Sequence, residues 1–160
     1  MILTEETYRA RRYVAAYAFI GPLLMAALIN VSDSAQQVQL GIVTAISLLI
    51  ALIIYVVLGA VKVRIDRQGI VYQSMLKDRV LNWDNVRSVY VKRKHTGKSS
   101  YRVLIFENPE GKQVVTMNIA LFSRRTLQAV CSAATELAPQ AQFDDQARAF
   151  AAGTFPWYIR

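Results

Sequence analysis

One cysteine, Cys131, and one histidine, His95, are all that 160 residues offer of the usual zinc-ligand pair. A lone cysteine cannot bridge within the chain, so no disulfide framework holds the fold. Two such ligands fall short of the four that a structural zinc takes, and neither a metal nor a cofactor is expected. Proline and glycine are also scarce, at 4 and 7 residues, which excludes collagen-like and low-complexity linker architectures. Acidic residues number 11 against 19 lysines and arginines, for a formal charge of +8. Charged residues make up 19% of the chain and hydrophobic ones 54%, the reverse of a disordered composition. The length suits one domain, or one small domain with an anchor.

Charge is missing altogether from Tyr13 to Ser32 and from Ser34 to Val61, with Asp33 alone between them. A helix needs about 20 apolar residues to cross a bilayer. The runs Tyr13–Val31 and Val38–Val61 therefore predict two transmembrane helices, joined by the short polar segment Ser32–Gln37. Gly21-Pro22 reads as a kink in the first span, since both residues are tolerated in membrane helices. Arg9, Arg11 and Arg12 precede the first span, and Lys62, Arg64 and Arg67 follow the second, while the loop between carries neither lysine nor arginine. This bias places both termini on the cytoplasmic side. Tyr8, Tyr13, Tyr17 and Tyr55 stand near the span ends, and Asn30 near the loop. A cleaved signal peptide is the competing reading of the first run, but its apolar stretch is long and no small-x-small site follows. The expected domains are a cytoplasmic segment 1–12, a transmembrane hairpin 13–61, a β domain 62–139 and a tail 140–160.

After Val61 the period changes. Val63 and Ile65 alternate with Lys62, Arg64 and Asp66, as in a half-buried strand. Arg67-Gln68-Gly69 reads as a turn whose glycine takes positive φ. Further strands are expected over about Ile70–Leu76, Arg79–Trp83, Val86–Arg93, Tyr101–Phe106 and Gln113–Asn118, separated by Lys77-Asp78, Asp84-Asn85, His95–Lys98 and Asn108–Gly111. Leu127, Val130, Ala134 and Leu137 then recur at helical spacing, with Ser123 as N-cap and Pro139 as stop.

The stretch Val63-Arg64-Ile65-Asp66 leading into Gly69-Ile70, then Val80-Leu81-Asn82-Trp83-Asp84-Asn85-Val86, the Glu110-Gly111 turn and the final helix resemble bacterial pleckstrin-homology-like (PH-like) domains. The resemblance covers about Lys62–Pro139. It implies an α+β membrane protein: a transmembrane hairpin followed by a partly open antiparallel β barrel or sandwich closed by a C-terminal helix, in the bacterial inner membrane. Such a barrel has seven strands, and six are visible; Ile119–Phe122, or a strand split by a bulge, would supply the seventh. Trp83 reads as a structural anchor in the core.

Between residues 62 and 136 there are fourteen basic and six acidic residues, densest at Lys92-Arg93-Lys94-His95-Thr96-Gly97-Lys98. Lys92, Arg93, Lys94 and Lys98 are the candidate contact residues for anionic headgroups or a partner. Arg124 and Arg125 join them, because they open a helix where the macrodipole disfavours cations. Nucleic acid is not the expected partner. No catalytic set emerges. Gly97-Lys98-Ser99 lacks the earlier glycine of a phosphate loop, Lys92 standing in its place. His95 has no nucleophile or carboxylate at a useful spacing, Cys131 reads as packing, and Glu5-Glu6 and Asp144-Asp145 are adjacent pairs that point apart. Phe155-Pro156-Trp157-Tyr158-Ile159-Arg160 is an aromatic tail expected to dock. The function expected is a membrane-anchored, non-catalytic binding or scaffolding module for a protein partner or for itself. The alternatives are an anionic-lipid sensor using the basic hairpin and an accessory subunit of a larger membrane complex.

Overall fold

The computed structural model describes residues 6–11, 13–29, 33–97, 99–157 and 159. Of the residues used above, Glu5, Arg12, Asn30, Val31, Ser32, Lys98, Tyr158 and Arg160 lie outside that set. The described chain opens on a strand, β1 (Glu6–Arg9), followed by α1 (Tyr13–Ala16), a 3-10 turn (Tyr17–Phe19), α2 (Ile20–Ile29) and α3 (Ser34–Ala60). Then come β2 (Lys62–Ile65), β3 (Gly69–Gln73), β4 (Arg79–Asn82), a 3-10 turn (Trp83–Asn85), β5 (Ser88–Thr96), β6 (Ser99–Glu107) and β7 (Gln113–Asn118). A 3-10 turn (Ile119–Leu121), α4 (Arg124–Leu137), β8 (Gln142–Phe143) and α5 (Asp145–Ala151) complete it.

Two units divide the chain. The residues up to Ala10 and those from Val61 onward form a β unit, and Arg11–Ala60 form a helical unit inserted in it. The β unit has two four-stranded sheets, ordered β1-β2-β3-β4 and β7-β6-β5-β8. Neighbours are antiparallel except β5 and β8, which run parallel. The alternation read from the sequence sets the faces. Val63, Ile65, Ile70 and Leu81 of the first sheet and Val89, Leu104, Phe106, Val115 and Met117 of the second share one core. Leu127, Val130, Cys131 and Ala134 of α4 join it. Ser123 caps α4 by accepting the Thr126 N–H at 3.0 Å.

Ile119–Phe122 supplies no strand, since it holds a 3-10 turn, and the strand that opens the first sheet is β1. β1 pairs Glu6–Arg9 with Ile65–Lys62, and Ala10 N–H donates to the Val61 carbonyl at 3.0 Å. The β unit also extends past 139. Phe143, Phe150, Phe155 and Ile159 pack on the core, and the Phe150 and Phe155 rings stack at 5.2 Å. Residues 6–10 and the described residues after 139 thus share one unit with residues 61–139.

The helical unit corrects the expected fold class. Among the described residues one helix is long and apolar enough to cross a membrane, over Gln36–Ala60. The first expected span is broken into a four-residue helix, a 3-10 turn and the ten-residue α2. Pro22 supplies the reason. It has no N–H to donate, and its ring crowds the carbonyl four residues back, at Ala18, inside the 3-10 turn. At 1.5 Å per residue α2 is about 15 Å long, half a hydrocarbon core, whereas the 27 residues of α3 reach about 40 Å. The two-helix transmembrane hairpin is not formed, and the chain is a β-rich protein with two sheets and one candidate apolar helix. Inside this unit, α3 turns Thr44, Ser47 and Ala51 inward, small residues that permit close helix approach. Phe19 meets Tyr55 edge to face at 6.4 Å.

Candidate functional site

The basic cluster lies on the β5–β6 ribbon. Nine residue pairs join the two strands, from Ser88↔Glu107 to Thr96↔Ser99. β7 accompanies β6 only from Val103 to Glu107, and β8 accompanies β5 only at Ser88 and Val89. Beyond those limits Arg93–Thr96 and Ser99–Arg102 run on as two strands with no third beside them among the described residues. The root of the ribbon is core, with Val89, Leu104 and Phe106 fully buried. Its outer half is polar. Lys92, Arg93 and His95 are exposed and Lys94 is half-buried. No acidic residue occurs between Val91 and Phe106.

Strand alternation sorts the cations. Arg93 lies opposite Arg102, and His95 opposite Ser100, on one face. Lys92 and Lys94 lie on the other, across from Val103 and Tyr101. Like charges directly opposite repel. Arg93 is held in place by Ser100, whose Oγ accepts from both Nε at 2.9 Å and Nη2 at 2.7 Å. At the root, the Tyr90 hydroxyl donates to Glu107, and this bond holds the Glu107 carboxyl below its ordinary range, with Ser88 adding a second donor at 2.9 Å. The acid nearest the ribbon is therefore engaged at its base. Asp144 is engaged too. It caps α5 through the Ala147 N–H at 2.7 Å and accepts the Val91 N–H at 2.8 Å.

The other candidates are placed elsewhere. Arg124 faces the tail: its Nε donates to the Ile159 carbonyl at 2.6 Å and its guanidinium lies 6.0 Å from the Phe155 ring centre. That contact is structural and does not join Arg124 to the ribbon cations as a free surface charge. Arg125 is exposed at the start of α4. Trp83 is buried in its 3-10 turn, where Nε1 donates to the Asp66 carbonyl at 2.9 Å. Cys131 is buried in α4, and burial pushes its thiol up to about 12, with Asp144 adding to the effect. Lys98 lies outside the described residues. A shallow polar cup of about 300 Å³ on the outer face of the first sheet is lined by Arg64, Asp66, Gln73 and Asp78. Its polar groups pair among themselves, Arg64 with Asp66 at 3.9 Å and Gln73 with Asp78 at 3.3 Å. Among the described residues no cluster of three or more His, Cys, Asp or Glu gathers that could hold a metal.

The sequence reading missed β1, and no periodic signal marks it. Of its four residues only Tyr8 turns toward the core. The strand, the insert and β2 through β7 nonetheless travel together, because residues 4–121 match the family of unknown function DUF6585. The chain belongs to that family. The DUF6585 match begins just before β1 and ends at the 3-10 turn before α4, so it takes in both the insert and the sheets that flank it. No curated protein and no solved structure matches the chain.

Proposed function

We propose that this DUF6585 protein is a non-catalytic binding module of PH-like build, held at a membrane by its apolar insert, with the outer β5–β6 ribbon as the contact surface for an acidic protein partner. Two four-stranded sheets that share a core with α4 support the PH-like reading, with the insert placed between the first strand and the second. Support for a membrane comes from the insert's surface: Leu23, Leu24, Leu28, Ile42, Ile46, Leu49 and Ile53 are all exposed, far beyond the scattered apolar residues of an ordinary surface. The Ala10 N–H donates to the Val61 carbonyl, so the insert leaves and re-enters the β unit at one point.

The observation that carries the reading is the ribbon itself, a two-stranded element extended beyond its sheet and bearing Arg93 and Lys94, with Lys92 at its root and no acid between Val91 and Phe106. Clustered cations of this kind set partner choice and encounter rate. A photocrosslinker at His95 of the full chain in native membranes is expected to give a protein adduct of defined mass, absent when the probe stands at Gln68. Reversing Lys92, Arg93 and Lys94 to glutamate should lower that adduct at least about tenfold, equivalent to about 1.4 kcal/mol. An adduct indifferent to the reversal, or none, overturns the assignment. An adduct on phospholipid moves it to anionic headgroups.

A further inference from the structure

Register places one more feature beside the point where the insert departs. Arg9 pairs with Lys62, and Lys62 pairs with Gln73. The chain leaves the sheet just after Arg9, at Ala10, and re-enters it at Val61, just before Lys62. Ser74, just after Gln73, therefore begins the β3–β4 turn at that same end of the sheet. Tyr72 pairs with Arg79, so the turn closes over Ser74–Asp78.

This turn is built the wrong way round for water. Leu76 is 95% exposed and Met75 59%, whereas a turn facing solvent favours Asn, Asp, Gly and Ser at its tip. The outward pose is held by hydrogen bonds. Ser74 Oγ donates to the Lys77 carbonyl at 2.8 Å and accepts the Lys77 N–H at 3.3 Å. That clamp fixes the two apolar side chains at the apex. Lys77 and Arg79 follow them, both exposed, with Asp78 between accepting from Gln73 and Arg79 Nη1 donating to the Val114 carbonyl at 3.3 Å. An apolar tip next to cations suits the bilayer interface, where the apolar groups enter the acyl boundary and the cations meet anionic headgroups.

We infer that the β3–β4 turn is a second membrane contact, with Met75 and Leu76 seated in the headgroup–acyl boundary and Lys77 and Arg79 at the phosphates. The inference rests on the membrane reading of the insert. Helix α3 ends at Ala60 and β2 starts at Lys62, so no linker separates this sheet end from the insert. Both chain connections to the insert lie at the sheet end that carries the turn, so a bilayer that held the insert would be within chain reach of Met75 and Leu76. Gln68, in the β2–β3 turn, lies at the opposite end of the same strands. The contact is thus one-ended, and it would fix the tilt of the β unit as a single tether would not.

The test uses the full chain reconstituted in vesicles of mixed neutral and anionic phospholipid. Single cysteines are introduced as Leu76→Cys, Gln68→Cys and Leu49→Cys and labelled with an environment-sensitive dye. The native Cys131 is buried and its thiol is raised to about 12, so it stays unlabelled. The expected result is quenching by bromolipid at positions 76 and 49, and quenching by aqueous iodide only at 68. Iodide quenching at 76 with bromolipid quenching at 49 overturns the turn contact and leaves the insert reading standing. Iodide quenching at 49 overturns both. Bromolipid quenching at 68 as well as 76 overturns the one-ended geometry.

Discussion

Gly69 shows how a residue can be required for a reason its neighbours do not announce. In the sequence, Arg67-Gln68-Gly69 suggests a turn with positive φ, but positive φ falls at Gly97, Gly111 and Gly153. Gly69 is instead the first residue of β3, packed against β4 so closely that an added Cβ would stand 2.4 Å from the Leu81 carbonyl oxygen. The turn itself is made by Asp66, whose Oδ1 accepts the N–H groups of Gln68 and Gly69, both at 2.8 Å. Because the obstacle is backbone, it cannot swing aside. Gly69→Ala should cost about 1–3 kcal/mol, read as a lowered midpoint of thermal unfolding followed by circular dichroism. Gly41→Ala meets nothing within 4 Å and is the control, expected to cause no loss. An unchanged midpoint for Gly69→Ala would show that the two strands can part there without cost.

Among elements, those with strong periodicity were legible and those defined by a distant partner were not. The strands β2 to β7 stand close to their expected places, because Val63, Ile65, Val103 and Ile105 alternate as a pleat requires. Their ends moved where a side chain intervened. The strand expected to reach Leu76 stops at Gln73 because Ser74 clamps the turn, and Trp83 leaves β4 for a 3-10 turn. β5 runs on to Thr96, and Gly97 takes the left-handed conformation directly after it. β1 was invisible, since four residues with a partner beyond the insert leave no local trace. The candidate site divides likewise. Clustered charge on the ribbon is a sequence property, whereas the engagement of Arg124 with the tail depends on folding the C-terminus back. Arg124→Ala removes one hydrogen bond and one ring contact and should loosen the tail by about 1–3 kcal/mol. Faster carboxypeptidase trimming of residues 155–160, with global unfolding little changed, is the expected outcome; unaltered trimming would mean that Phe155 and Ile159 hold the tail alone.

At the scale of the whole molecule, the first sheet is discontinuous in sequence and continuous in space. A fragment starting at Lys62 lacks β1 and leaves β2 as a bare edge, an invitation to edge-to-edge aggregation. Joining Ala10 to Val61 through a two-residue Asn-Gly turn, in place of Arg11–Ala60, keeps all eight strands. That version should elute as a monomer and unfold cooperatively, while the Lys62–Arg160 fragment should melt lower or aggregate; equal melting of the two would show that β1 adds nothing to the sheet. The split strand also has a consequence for biosynthesis. β1 leaves the ribosome first but has no partner until the insert and β2 have followed. The first sheet therefore cannot be completed until the last residue of the insert has been made, and β1 waits as an unpaired edge until then.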